Sequence, residues 1–197
     1  MRLLAHIGCV AAMTALTTFA APASAQGVTD YLGLPGPIAF DGETYELSWS
    51  SQPNPGYTKH EYIPAGQVPE TYETMIMVEV LAADIAPLAM ATAQVEMLNE
   101  RKATDPLVNM ELIQNDQTGE VLLDFLVSSR DEAGDYIIEW NAYRYAAIET
   151  PDGAPAGLLF AISHRAYGDD AEPFLKGLQD LRPRQIQALA AAPLPEL

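Results

Sequence analysis

The densest run of side chains able to do chemistry is Glu139-Trp140-Asn141-Ala142-Tyr143-Arg144-Tyr145. In an extended strand, alternation places Trp140 and Arg144 on one face and Glu139, Asn141, Tyr143 and Tyr145 on the other. A turn at Pro151-Asp152-Gly153 folds the chain back, and in a simple meander it brings Arg165 beside Asn141 and Ser163 beside Tyr143. Hydrogen-bonding groups on an aromatic floor suit a protein segment or a small polar ligand, so the binding candidates are Tyr143, Tyr145, Arg165 and Asn141. An ordinary solvated sheet face with cross-strand pairs accounts for the same residues.

On the opposite face the same register gathers Arg144, His164 and Asp124 beside Trp140. A histidine with a carboxylate is the minimum for general-base work. The catalytic alternative is therefore His164 with Asp124 or Glu139, in a small periplasmic hydrolase or isomerase. His164 also reads as a hydrogen-bonded core residue, with Arg144 as the buried partner of Asp124. A nucleophile is missing, since the chain holds neither Gly-x-Ser-x-Gly nor Ser-x-x-Lys. Metal ligation is not expected either. His60 and His164 have no His-x-x-x-His spacing, and the carboxylates Asp131, Glu132 and Asp135 or Asp169, Asp170 and Glu172 read as turn and cap chemistry. No cofactor is expected.

The elements that must position these residues follow from periodicity. Gly and Pro at 33–37 mark residues 26–41 as an irregular arm. Strands are predicted near Tyr45 to Ser50, Tyr57 to Ile63 and Thr74 to Leu81, the last apolar on both faces except at Glu79, as a central strand is. Asp84 is placed to cap a helix running to about Arg101, whose stripe Leu88, Ala91, Val95 and Leu98 faces the sheet. Strands near Asn109 to Gln114, Val121 to Ser128, Tyr136 to Ile148 and Gly157 to Tyr167 follow as a hairpin meander. A C-terminal helix begins near Asp170, is interrupted at Pro183, and leaves residues 190–197 as a frayed tail. Trp49 and Trp140 are expected in the core. The fold class read from this order is α+β: a single antiparallel sheet with one central helix and a C-terminal helix packed mainly on one face.

Residues 1–25 carry Arg2, an apolar run from Leu3 to Ala21, and small residues at Ala23 and Ala25, the pattern of a signal peptide cleaved after Ala25. Residues 26–197 then form one domain in the periplasm or outside the cell. The only cysteine, Cys9, lies in the leader, so neither a disulfide nor a thiolate site is expected beyond it. Ten Lys and Arg stand against twenty-seven Asp and Glu, a formal net charge of −17, one unit more negative once Arg2 is removed. Such a surface repels phosphate backbones, which argues against a nucleic-acid partner. No segment beyond the leader has the apolar length of a transmembrane span, and oligomeric state is not readable.

Phe40-Asp41-Gly42, Trp49-Ser50-Ser51, Glu61-Tyr62-Ile63-Pro64-Ala65-Gly66 and Tyr72-Glu73-Thr74-Met75 together resemble a family of small, uncharacterised exported proteins of proteobacteria. The element order also resembles the α+β sandwich of the PsbP and Mog1 proteins. That resemblance implies an accessory or binding role without catalysis. It carries no site residues with it.

Overall fold

The computed structural model describes residues 27–197. The leader, Cys9 and the cleavage position after Ala25 lie outside the described residues. Eight strands form one antiparallel sheet: β1 (Ile38–Phe40), β2 (Glu43–Asn54), β3 (Tyr57–Pro64), β4 (Thr74–Leu81), β5 (Asn109–Gln114), β6 (Val121–Arg130), β7 (Tyr136–Glu149) and β8 (Pro155–Tyr167). Their order across the sheet is β1-β2-β3-β4-β8-β7-β6-β5, so two four-stranded meanders are joined where β4 pairs with β8. Helix α1 (Pro87–Arg101) carries the chain from β4 at the middle to β5 at the far edge, and α2 (Ala171–Ala191) follows β8.

The two helices cover opposite faces. Ala91 and Leu98 of α1 pack with Met75, Met77, Leu123, Phe125 and Leu159. Leu178 and Leu189 of α2 pack with Ile76, Val78, Trp140, Phe160 and Ile162, the alternate residues of the same strands. The expected α+β layout, with a central helix and both helices mainly on one face, is therefore corrected to a largely β fold with one helix on each side. The physical reason lies in β8, which is buried without interruption from Ala156 to Ser163. A strand apolar on both faces needs a cover on both, each large side chain contributing roughly 1.5–3 kcal/mol when removed from water.

Local detail departs from expectation in four places. β1 lies within the stretch read as an irregular arm. Asp84 does not cap α1, whose N-cap is Ala86 with Pro87 in the first turn. α2 runs unbroken through Pro183, whose fixed φ suits a helix although the Gln179 carbonyl loses its donor. Trp49 is 42% exposed while Trp140 is 1% exposed. A register shift between Leu47 and Trp49 turns the indole off the face that Leu47 shares with Tyr62 and sets it beside Glu61, where no helix reaches.

Residues before β1 are laid over the α2 side of the sheet, where Leu32 and Leu34 meet the core. His60, fully buried, fixes them: Tyr31 N–H donates to Nε2 at 3.1 Å. Because Nε2 accepts, the ring proton sits on Nδ1 and faces the Tyr62 hydroxyl at 3.0 Å, which itself donates to the Leu34 carbonyl at 2.6 Å. After α2, Leu194 and Leu197 rest on the same core. Among the described residues no helix is long and apolar enough to cross a membrane.

Candidate functional site

β7 and β8 pair with Glu139 opposite Arg165, Asn141 opposite Ser163, Tyr143 opposite Ala161 and Tyr145 opposite Leu159. This register differs by two residues from the simple meander, which set Arg165 against Asn141. An even shift leaves every side chain on its expected face and changes only its partners. All four binding candidates thus share the face under α1. They do not form one patch.

At one end Glu139 is a hub. Its Oε2 accepts from Arg165 Nε at 2.7 Å, from Arg165 Nη2 and from the Tyr72 hydroxyl at 3.0 Å; Oε1 accepts from Asn141 Nδ2 at 2.9 Å. The Arg165 guanidinium lies over the Tyr72 ring, 4.1 Å from its centroid. Ser163 Oγ stands 3.2 Å from the Tyr72 hydroxyl. Burial, then the Glu139 charge, pushes the Tyr72 hydroxyl up. Asn141 and Ser163 are fully buried. Arg165 and Asn141 therefore join β7, β8 and the segment before β4 around one compensated carboxylate; Asn141 is sealed inside, and Arg165 is spent on Glu139 and the Tyr72 ring.

At the other end a groove of about 420 Å³ runs between α1 and the sheet. Its floor crosses three strands in register, from Glu79 on β4 through Leu159 on β8 to Tyr145 on β7, with Tyr143 and Tyr57 beside them. The opposite wall is Ile85, Ala89, Met90, Ala93 and Met97. Tyr145 is 4% exposed and Tyr143 is half-buried. Among the described residues neither hydroxyl has a hydrogen-bond partner, and neither is sealed from solvent; both side chains line the groove. Tyr57 donates its hydroxyl to Glu79 Oε2 at 2.7 Å. Lys59 Nζ sits 2.8 Å from Glu61 and 3.6 Å from Glu79.

Burial first, and the nearby Glu79 charge second, pushes the Tyr143 and Tyr145 hydroxyls well above their ordinary range, and Tyr57 follows for the same reason together with its bond to Glu79. All three remain protonated at neutral pH. The groove thus offers phenol hydroxyls and a carboxylate on an apolar bed. It offers no nucleophile.

Sequence reasoning found Tyr143 and Tyr145 but missed the rest of the groove. The signal for Glu79 was present, as the one charge in an otherwise apolar strand. The signal for Met90 and Met97 was not, because they flank the α1 stripe that packs on the sheet.

The catalytic alternative is dispersed. Asp124 accepts from Arg182 Nε at 2.8 Å and from Trp140 Nε1 at 3.3 Å, beside a cavity of about 360 Å³ under α2. Arg144, expected to pair with Asp124, instead grips both oxygens of Glu120 and donates to the carbonyls of Leu189 and Ala192 at 2.9 and 2.7 Å, closing the C-terminal end of α2. The His164 ring lies 5.9 Å from the Trp140 ring, and its Nε2 has no partner. Burial holds His164 below its ordinary pKa. Glu139 lies on the other face of the sheet.

No curated protein and no solved structure matches the chain. A protein-family model matches residues 32–194, from the arm before β1 to the segment beyond α2. The match spans every strand and both helices, and the chain accordingly belongs to that family, an uncharacterised one.

Proposed function

We propose that this is an exported, non-enzymatic binding protein of the periplasm or cell exterior, and that its ligand is a small molecule held in the groove between α1 and the sheet. The observation that carries this reading is Tyr145: its ring is almost wholly buried, yet its hydroxyl opens into the groove without a partner. A ligand that bonds this hydroxyl replaces its contact with water inside a partly enclosed apolar site, where a hydrogen bond is stronger than in bulk solvent. Methionines opposite tyrosines make an adaptable apolar wall facing fixed hydroxyls. A volume of about 420 Å³ suits a small molecule and is too confined for a folded partner. Export rests on Arg2, the run from Leu3 to Ala21 and the small residues at Ala23 and Ala25. The likeness to small exported proteobacterial proteins belongs with the same proposal.

The test uses a neutral apolar fluorophore, N-phenyl-1-naphthylamine, which brightens on leaving water. The protein is expected to take it up. Ala93→Trp, which fills the groove from an exposed helix position, is expected to abolish uptake without shifting the melting curve, whereas His164→Ala leaves uptake unchanged. Uptake that survives Ala93→Trp contradicts the proposal.

A further inference from the structure

Taking the groove reading as its basis, we infer that the natural ligand is a hydrophobic amine, bound as a cation with its ammonium against Glu79 and the Tyr143 and Tyr145 hydroxyls.

The argument begins with local charge. Lys59 bonds closely to Glu61 and only at 3.6 Å to Glu79, so these three side chains leave one negative charge at the mouth of the groove. Among the described residues no Lys or Arg lines the groove to neutralise it. Glu79 is one-fifth exposed, so its carboxylate is open to a ligand while remaining partly shielded from water. Tyr57 donates to Oε2 of Glu79 at 2.7 Å, and Lys59 Nζ stands 3.6 Å from Oε1, beyond hydrogen-bond length, which leaves acceptor capacity on Oε1.

Hydrogen-bond valence agrees with charge. An ammonium has three donors and no acceptor, and the groove presents it with a carboxylate oxygen and two phenol oxygens that accept no hydrogen bond among the described residues. Aromatic rings beside a carboxylate favour organic cations for electrostatic reasons of their own. The walls of Ile85, Met90 and Leu159 take the apolar body. An anionic ligand meets both Glu79 and the net charge of −17, and a neutral alcohol leaves in place the one negative charge that Lys59, Glu61 and Glu79 carry together.

Three probes of one size separate these cases: 2-phenylethylammonium, 2-phenylethanol and phenylacetate, titrated by isothermal calorimetry or by NMR shifts. The ammonium is expected to bind about ten-fold or more tightly than the alcohol, the advantage of one partly desolvated ion pair, and phenylacetate weakest. Glu79→Gln keeps an acceptor for Tyr57 and is expected to erase the advantage of the amine while leaving alcohol affinity within about two-fold. Equal affinity for amine and alcohol in the unaltered protein overturns the inference, as does an amine preference that survives Glu79→Gln. If the alcohol and N-phenyl-1-naphthylamine enter without regard to Glu79, only the cationic assignment fails. If neither enters, the groove reading fails with it.

Discussion

Single side chains in this protein do either structural or receptive work, and burial alone does not tell which. Trp140 and Tyr145 are both almost inaccessible, yet Trp140 spends its N–H on Asp124 whereas Tyr145 keeps its hydroxyl free. Trp140→Ala is expected to cost about 3–5 kcal/mol in a denaturant melt, because the indole is enclosed by α2 and the sheet. Trp49→Ala is expected to cost less than about 0.5 kcal/mol, as for other surface sites. Histidine gives the pH dependence. Burial lowers the pKa of both His60 and His164 in the folded chain, so the unfolded chain binds protons first as pH falls through the usual histidine range. Stability is then complete above about pH 6.5 and declines below it. His60→Gln preserves an acceptor for the Tyr31 N–H, and urea midpoints measured between about pH 7 and 5 should decline less steeply than in the parent protein. An unchanged slope would mean that His60 binds protons alike in the folded and unfolded chain.

Among the elements, the seating of α1 on β8 controls the groove. A Cβ added at Gly157 would lie 2.5 Å from Met90 Sδ and 2.8 Å from Ile85 Cγ2, so these two side chains fill the space that any larger residue there would need. Gly157→Ala displaces the Met90 and Ile85 side chains from their seats on β8. We expect a loss of about 1–3 kcal/mol from overpacking. Met90 and Ile85 also line the groove, so probe uptake should change in the same mutant. A double-mutant cycle with Met90→Ala separates the effects: trimming the thioether should recover part of the stability lost in Gly157→Ala. Additive losses would show that the clash is relieved elsewhere.

The whole molecule is a strongly acidic shell around a two-faced sheet. With a formal charge of −17, its long-range field concentrates cations and repels anions, an effect that salt weakens. The amine inference at Glu79 is the local form of the same bias. The proposed export is the reading of the whole chain most directly open to experiment. N-terminal sequencing of the protein recovered from a periplasmic or culture fraction is expected to begin at Gln26, and a retained leader would contradict export by this route.

Periodicity by itself determined the strands from β2 to β8, the two helices and the faces on which Glu139, Asn141, Tyr143, Tyr145 and Arg165 lie. These are local consequences of alternation and turn chemistry, which act over a few residues. Only tertiary structure decided which partners those residues meet. Register depends on the whole hairpin between β7 and β8, and a two-residue shift preserved every face while turning Arg165 from Asn141 to Glu139. The placement of α1 and α2 on opposite faces was likewise beyond local pattern, although the unbroken apolar run in β8 already required two covers. The groove is the clearest case. Tyr57, Glu79, Met90 and Tyr145 are separated along the chain, and although Glu79 and Tyr145 stand out in their own strands, the four become a site only because β4 pairs with β8 and α1 crosses above them.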